Sequence, residues 1–399
     1  MTLASHVLRW IFALSAAGYA IVALTALSIG VESRPLAVGL RVLVALMSGV
    51  AVLLFAKGSI STRPPVAFVA FLLLYMGRLI WDIQSFGEAP ENLQFYIVVV
   101  IAPALAALMI SDQWNDLSSA KLFSIIGMLG CLFLILASIL GFSEWRSTTE
   151  NAAGRFSYDV LDPITVGNLG AATAIAAFCV YRVTRAPWTL ACLALGFIAL
   201  IMGLSRGPMV SLLGCVAVYL WLTGRTLALL AALLVATAFL FTGYGDALFE
   251  YLRFGDIEND EAANIRVDVV MSSIEQFAGS PLIGSGHVDK VTGYYPHNVF
   301  VESAIALGVV GIILIIFLFW RSWCVGVKRA RSGEMFAFLT LVYWMIEVQF
   351  SGAIWSNVML WLSMAIVLSS RSVAQIPASH SVNKIRTKPM FFRRGAVSG

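Results

Sequence analysis

Continuous apolar runs of about 20 residues, separated by short polar segments, recur from one end of the sequence to the other. Twelve of them fall at roughly residues 8–30, 36–57, 66–84, 93–111, 119–142, 164–185, 188–204, 208–223, 226–243, 298–320, 335–351 and 353–370. Runs of this length match a helix crossing the roughly 30 Å hydrocarbon core of a bilayer. A transmembrane barrel would instead show alternating segments of about ten residues. The pattern predicts an all-α, polytopic integral membrane protein with about twelve transmembrane helices. Its membrane domain covers residues 1–370 and includes one long polar loop, 244–297, with short interfacial helices; residues 371–399 form a basic, disordered tail. The first run is longer than the apolar core of a signal peptide and more runs follow it, so it reads as a retained helix.

Composition agrees with the pattern. Of the 399 residues 60% are hydrophobic and 12% charged, about half the charge of a soluble domain. The net charge of +4 therefore carries no nucleic-acid signal; the placement of the positive charges is what informs. With the N-terminus in the cytoplasm, the inward segments hold Arg9, Lys57, Arg63, Lys121, Arg182, Arg185, Arg225, Arg321, Lys328, Arg329, Arg331 and the tail residues Arg371, Lys384, Arg386, Lys388, Arg393 and Arg394. These are most of the Lys and Arg residues, and the bias predicts that both termini are cytoplasmic. Five cysteines (Cys131, Cys179, Cys192, Cys215, Cys324) lie in or beside apolar runs and read as buried thiols, without zinc or disulfide spacing.

Apart from the basic residues at the inward ends of the spans, five ionisable residues fall within them: Arg41, Arg78, Asp82, Glu302 and Glu347. Each is costly there and needs a reason. In the predicted topology all five lie within about six residues of the outer end of a helix, less than about 10 Å deep. Arg78 and Asp82, four apart, share a helix face and can pair. This predicts a polar cavity open to the outer leaflet above a dry inner half.

Three outward loops carry an arginine close to a helix start: Arg155 ahead of Asp162-Pro163, Arg206 in Ser205-Arg206-Gly207-Pro208, and Arg266 in Asn264-Ile265-Arg266-Val267-Asp268. Pro208 suits a first helical position, and Asn264 suits the cap of a helix running to about Phe277. Helix N-termini favour phosphate, and guanidinium adds bidentate contacts, so the three arginines read as a diphosphate clamp. His297, at the mouth of the span from 298, is the candidate general base. Neighbouring arginines would hold it neutral, and Glu302 could orient it or the substrate. The acidic run Asp256, Glu258, Asp260, Glu261 lacks the glycine and closing glutamate of a calcium loop and reads as a solvated loop rather than a metal site. Gly284-Ser285-Gly286 reads as a turn.

With twelve spans, Arg155 before Pro163, the Ser205-Arg206-Gly207 turn, Arg266 followed by Ser280-Pro281-Leu282-Ile283-Gly284-Ser285-Gly286, then Pro296-His297-Asn298, Leu307-Gly308 and Gly311, the chain resembles the O-antigen ligase and polymerase superfamily of bacterial inner-membrane proteins. The resemblance runs from Gly154 to Gly311. It implies an inverting, metal-independent glycosyltransferase that needs no cofactor and works on the periplasmic side. The donor would be a glycan on undecaprenyl diphosphate, and the acceptor either lipid A-core, as in a ligase, or another glycan, as in a polymerase. It further implies that Arg155 and Arg266 bind the diphosphate with Arg206 in support and that His297 takes the acceptor proton; Glu302 and Asn298, beside His297 in the sequence, are read as supporting the site. The alternative is a lipid-linked glycan flippase or exporter. That would require polar groups lining the inner half of the bundle, which the sequence does not offer. A structural or sensory membrane protein, with the arginines as ion pairs, is the third possibility.

Overall fold

The computed structural model describes residues 2–55, 65–88, 90–141, 144–146, 155–157, 161–231, 234 and 261–369. In chain order the elements are α1 (Leu3–Ile29), α2 (Ser33–Phe55), α3 (Val66–Phe86), α4 (Glu91–Gln113), α5 (Asp116–Ile139), β1 (Glu144–Arg146), β2 (Arg155–Ser157) and α6 (Pro163–Thr184). They continue with α7 (Trp188–Gly203), α8 (Arg206–Leu222), α9 (Glu261–Gly279), α10 (Val299–Arg331), α11 (Met335–Glu347) and α12 (Val358–Leu368). The fold is helical apart from the antiparallel pair β1–β2, in which Arg155 faces Arg146 across the ladder.

Among the described residues, seven helices (α1 to α6 and α10) are long and apolar enough to cross a membrane; α7, α8, α11 and α12 are shorter apolar helices. Of the predicted ninth span, 226–243, only residues 226–231 and 234 are described, all of them helical, and the remainder lies outside the described residues. The loop as far as residue 260, with Asp256, Glu258 and Asp260 of its acidic run, and the 371–399 tail also lie outside the described residues. The two last predicted spans need correction. α11 has 13 residues and α12 has 11, about 20 and 16 Å at 1.5 Å per residue, well short of a bilayer. Between them a connection of irregular backbone, residues 348–357, is folded back into the protein. Its polar groups are held internally: Ala353 N donates to Ser356 Oγ at 3.2 Å, and Asn357 Oδ1 caps Leu360 N at 3.3 Å. Irregular backbone at this depth is tolerated when protein rather than lipid surrounds it. A scan of apolar run length cannot detect such a break.

Small residues let the helices approach closely. α6 and α7 meet through Gly170 and Gly196, where a Cβ on Gly170 would lie 2.5 Å from the Gly196 carbonyl. This is the small-residue packing that joins helices in lipid, where apolar contact alone gives no driving force.

α10 is broken rather than continuous. Gly308 takes φ 67° and ψ −153° inside it, a backbone region essentially reserved for glycine. The break frees carbonyls of the preceding turn, and the loop after α9 occupies the gap. Ser285 and Gly286 donate their N–H groups to Ile305 O at 2.7 and 3.2 Å, and Val309 N donates to Pro281 O at 2.8 Å. Gly284, also left-handed at φ 70°, comes so close to Ile305 and Ala306 that a side chain would strike backbone; at Gly308 the obstruction is Leu282 and Pro281. The Gly284-Ser285-Gly286 run is therefore more than a turn: it is the docking surface of the loop.

Gly308→Ala is expected to lower the apparent thermal midpoint of the detergent-solubilised protein, since the conformation alone costs about 1–3 kcal/mol. Gly77→Ala, in open helical surroundings, should be neutral or slightly stabilising. Equal midpoints for both variants would contradict the docking role.

Candidate active site

α9, the turn before α10 and the α11–α12 connection border an open cavity of ≈ 290 Å³. Arg266, Val267, Val270 and Met271 line it from α9; Pro296, His297 and Asn298 come from the turn, and Gln349 and Phe350 from the connection. Arg266 and His297, 31 positions apart in sequence, thus face one hollow. Arg266 lies in the body of α9, which begins at Glu261. Asn264 is consequently within the helix and not its cap, as the sequence had suggested.

His297 has φ 54°, a left-handed conformation uncommon for a residue with a side chain. The next residue explains why it is held there. Asn298 caps α10, its Oδ1 accepting from Phe300 N at 3.0 Å and Val301 N at 3.2 Å, so the chain must reverse just before the helix begins. The imidazole lies 4.3 Å from the Tyr295 ring, centre to centre. Its Nδ1 is buried and, among the described residues, has no hydrogen-bond partner. Burial, and then the like charge of Arg266, push the His297 pKa down to about 4. At neutral pH the ring is uncharged and can accept a proton. Burial likewise raises the Tyr295 hydroxyl, the Glu302 carboxylate adds to the rise, and Arg266 opposes it.

Arg206 is the first residue of α8, after the N-cap Ser205, which puts Pro208 at the third helical position rather than the first. The following Gly207 packs against the Glu347 carboxylate and Phe350; Phe350 also lines the cavity, so the Arg206 turn flanks it. Glu347 is fully buried and accepts from Ser211 Oγ at 3.1 Å and Ser351 Oγ at 3.0 Å. It thereby ties α8 to the end of α11. For Arg155 the structure describes only the backbone of β2, beside the ends of α6 and α7, and its side chain lies outside the described residues.

Glu302 does not orient His297. It is fully buried and accepts from Tyr75 Oη at 2.5 Å and Ile354 N at 2.9 Å. The carboxylate fastens α10 to α3 and to the connection that carries Phe350. Its partners lie 227 and 52 positions away, which is why position on the helix alone suggested the imidazole.

The other histidine of the loop has a role the sequence did not reveal. His287 is buried, and its Nδ1 and backbone N lie 2.7 and 2.9 Å from Asp82 Oδ2. Arg78 Nε pairs with Asp82 Oδ1 at 2.9 Å, as their spacing had suggested, and Asn92 Nδ2 is 3.2 Å from His287 Nε2. This clasp secures the loop to α3 and α4. Its only sequence signal was the charged pair within a span.

Diethyl pyrocarbonate modification of His297, followed by mass spectrometry against pH, should fall away with a midpoint near 4. Arg266→Gln should move the midpoint upward, but only part of the way to 6.5, because burial is the larger cause. A wild-type midpoint at 6.5 would contradict the desolvated setting.

Residues 191–316 match the family model described as O-antigen ligase. Arg206, Arg266, His297, Asn298 and Glu302 fall inside the match, and Arg155 and the α11–α12 connection fall outside it. No curated protein matches the chain. Over residues 191–316, which supply most of the cavity lining, this multi-pass membrane protein is similar to the O-antigen ligase family.

Proposed function

We propose that the protein is an inverting glycosyltransferase that takes a glycan from an undecaprenyl diphosphate carrier, at the face of the bacterial inner membrane turned away from the cytoplasm. The observation that carries this reading is the shared cavity of Arg266 and a neutral His297. The family match over residues 191–316 supports the same class of glycan transfer.

Arg266, with Arg206 at the flank and Arg155 from β2, holds the diphosphate. The acceptor hydroxyl attacks the anomeric carbon and His297 takes its proton. The bond from that carbon to the diphosphate oxygen breaks, and the electron pair leaves with the carrier. Fixed guanidinium groups stabilise the charge that develops on the leaving group, and one general base supplies roughly 10²–10⁴-fold. No metal is needed to activate a leaving group that is already a diphosphate.

The low pKa of His297 has a place in this scheme. A diphosphate bound at Arg266 offsets the cation's repulsion, so donor binding raises the basicity of the imidazole when a base is required. The pKa of the free protein governs kcat/KM and that of the donor complex governs kcat. The acid limb of kcat is therefore expected at higher pH than that of kcat/KM.

The test is reconstitution of the full chain in liposomes with labelled, carrier-linked oligosaccharide, with and without lipid A-core. Label on lipid A-core marks a ligase and lengthened carrier-linked chains a polymerase. His297→Ala should abolish transfer while donor still binds, and Arg266→Gln should weaken donor binding about tenfold or more, as expected for a charge-assisted contact. Full transfer by His297→Ala, or movement of the lipid across the bilayer without any product, would contradict the reading.

A further inference from the structure

A second cation stands in the membrane domain, away from Arg266. Arg41 lies on α2, eight residues beyond Ser33, and is half-buried. Its guanidinium carbon sits 4.5 Å from the Phe95 ring centre and 5.6 Å from that of Tyr19. Among the described residues no carboxylate pairs with it. Contacts with aromatic faces offset only part of the cost of a cation within a span.

The guanidinium opens on a cavity of ≈ 200 Å³ whose lining includes Leu14, Ser15, Phe95, Val99 and Ser356. The two helices that supply Leu14, Ser15 and Val99 are both distorted there. α1 is π-helical over Leu14–Gly18, and α4 over Tyr96–Ile101. Such widened turns cost hydrogen-bond quality and recur at functional sites. Ser15 Oγ is buried without a partner among the described residues, so the cavity combines one cation and one unused hydroxyl with apolar walls.

An aromatic strip joins this cavity to the imidazole. The Phe95 ring meets the Trp355 ring edge-on at 5.5 Å, Trp355 meets Tyr295 at 6.2 Å, and Tyr295 leans on His297 at 4.3 Å. Trp355 Nε1 is buried and, like Ser15 Oγ and His297 Nδ1, has no hydrogen-bond partner among the described residues. Aromatic faces suit the C–H faces of sugars, and an indole N–H suits a sugar hydroxyl. A transferase working between two lipid-borne glycans needs two anion handles with the base between them. Arg266 supplies one from a loop helix, and Arg41 supplies the other from within the membrane domain, where a lipid headgroup would lie.

We propose that Arg41 and the strip Phe95–Trp355–Tyr295 form the acceptor subsite, with a lipid-borne phosphate at Arg41 and the attached sugars running along the rings to His297. This rests on the glycosyl-transfer reading above.

The test uses the full chain in phosphatidylcholine nanodiscs and three labelled probes: lipid A-core, carrier-linked oligosaccharide and phosphatidylglycerol. Arg41→Gln should weaken one of the two glycolipids about tenfold, the scale of one charge-assisted contact, with Arg41→Lys retaining most of the affinity. Phosphatase treatment of that glycolipid should cost the wild type a similar factor and cost Arg41→Gln little. In turnover, Arg41→Gln should raise the acceptor KM and leave kcat within about twofold, because the contact is made equally in ground and transition states. Unchanged binding of both glycolipids by Arg41→Gln would overturn the proposal. So would an equal loss of phosphatidylglycerol, which would make this a site for bulk lipid. If the wild type transfers glycan while Arg41→Gln binds normally, only this inference falls. If the wild type transfers nothing, the functional reading falls, and the binding measurements still report on the cavity.

Discussion

The docking of residues 281–286 into the break of α10 at Gly308 is the constraint on which the site depends. An unbroken helix would satisfy its own carbonyls and offer the loop nothing to bind. With the break, Ile305 O accepts from Ser285 and Gly286, and Pro281 O accepts from Val309, so each segment completes the other's backbone hydrogen bonding. In a low-dielectric setting unpaired backbone groups are expensive, so neither segment can shift without exposing the other. α9 ends just before this joint and α10 begins just after the loop. The joint therefore fixes Arg266 and His297 relative to each other.

Two buried carboxylates extend the arrangement to the rest of the bundle. Asp82 holds the loop to α3 through His287, and Glu302 holds the first turn of α10 to Tyr75 and to the α11–α12 connection. Asp82 is also paired with Arg78, and removing one partner from a buried ion pair of this kind typically costs about 3–5 kcal/mol. These groups support the site through position and not through contact with a substrate. A third carboxylate, Glu347, seats the Arg206 turn in the same way, beneath Gly207 and beside Phe350. The acidic residues within the spans thus share one purpose, which is to tie loops to helices at the end of the bundle that carries the cavity.

Local patterns in the sequence were sufficient for the seven helices long enough to cross a membrane, for the Arg78–Asp82 pair and for the grouping of Arg266 with His297. Each of these follows from run length, helical spacing or closeness in the chain. Whatever depended on distant partners was not legible. Glu302 meets a tyrosine 227 positions away and His287 an aspartate 205 positions away, so neither role leaves a local trace. The half-length helices α11 and α12 were hidden for another reason. Hydropathy registers apolar content, whereas the chain between them breaks its hydrogen-bond ladder and recovers it through Ser356, Asn357 and the Glu302 carboxylate. The glycines at 284 and 308 looked unremarkable singly, and their meaning lies in the backbone each lets approach, Ile305 and Ala306 at Gly284 and Pro281 and Leu282 at Gly308.

The central claim is that one lipid diphosphate is held by Arg266 within reach of His297. The most direct measurement is a cryo-electron microscopy map of the full chain in nanodiscs with undecaprenyl diphosphate bound. Diphosphate density against the Arg266 guanidinium, in the cavity that His297 lines, is the expected result. Density at a place that touches neither residue would contradict the account.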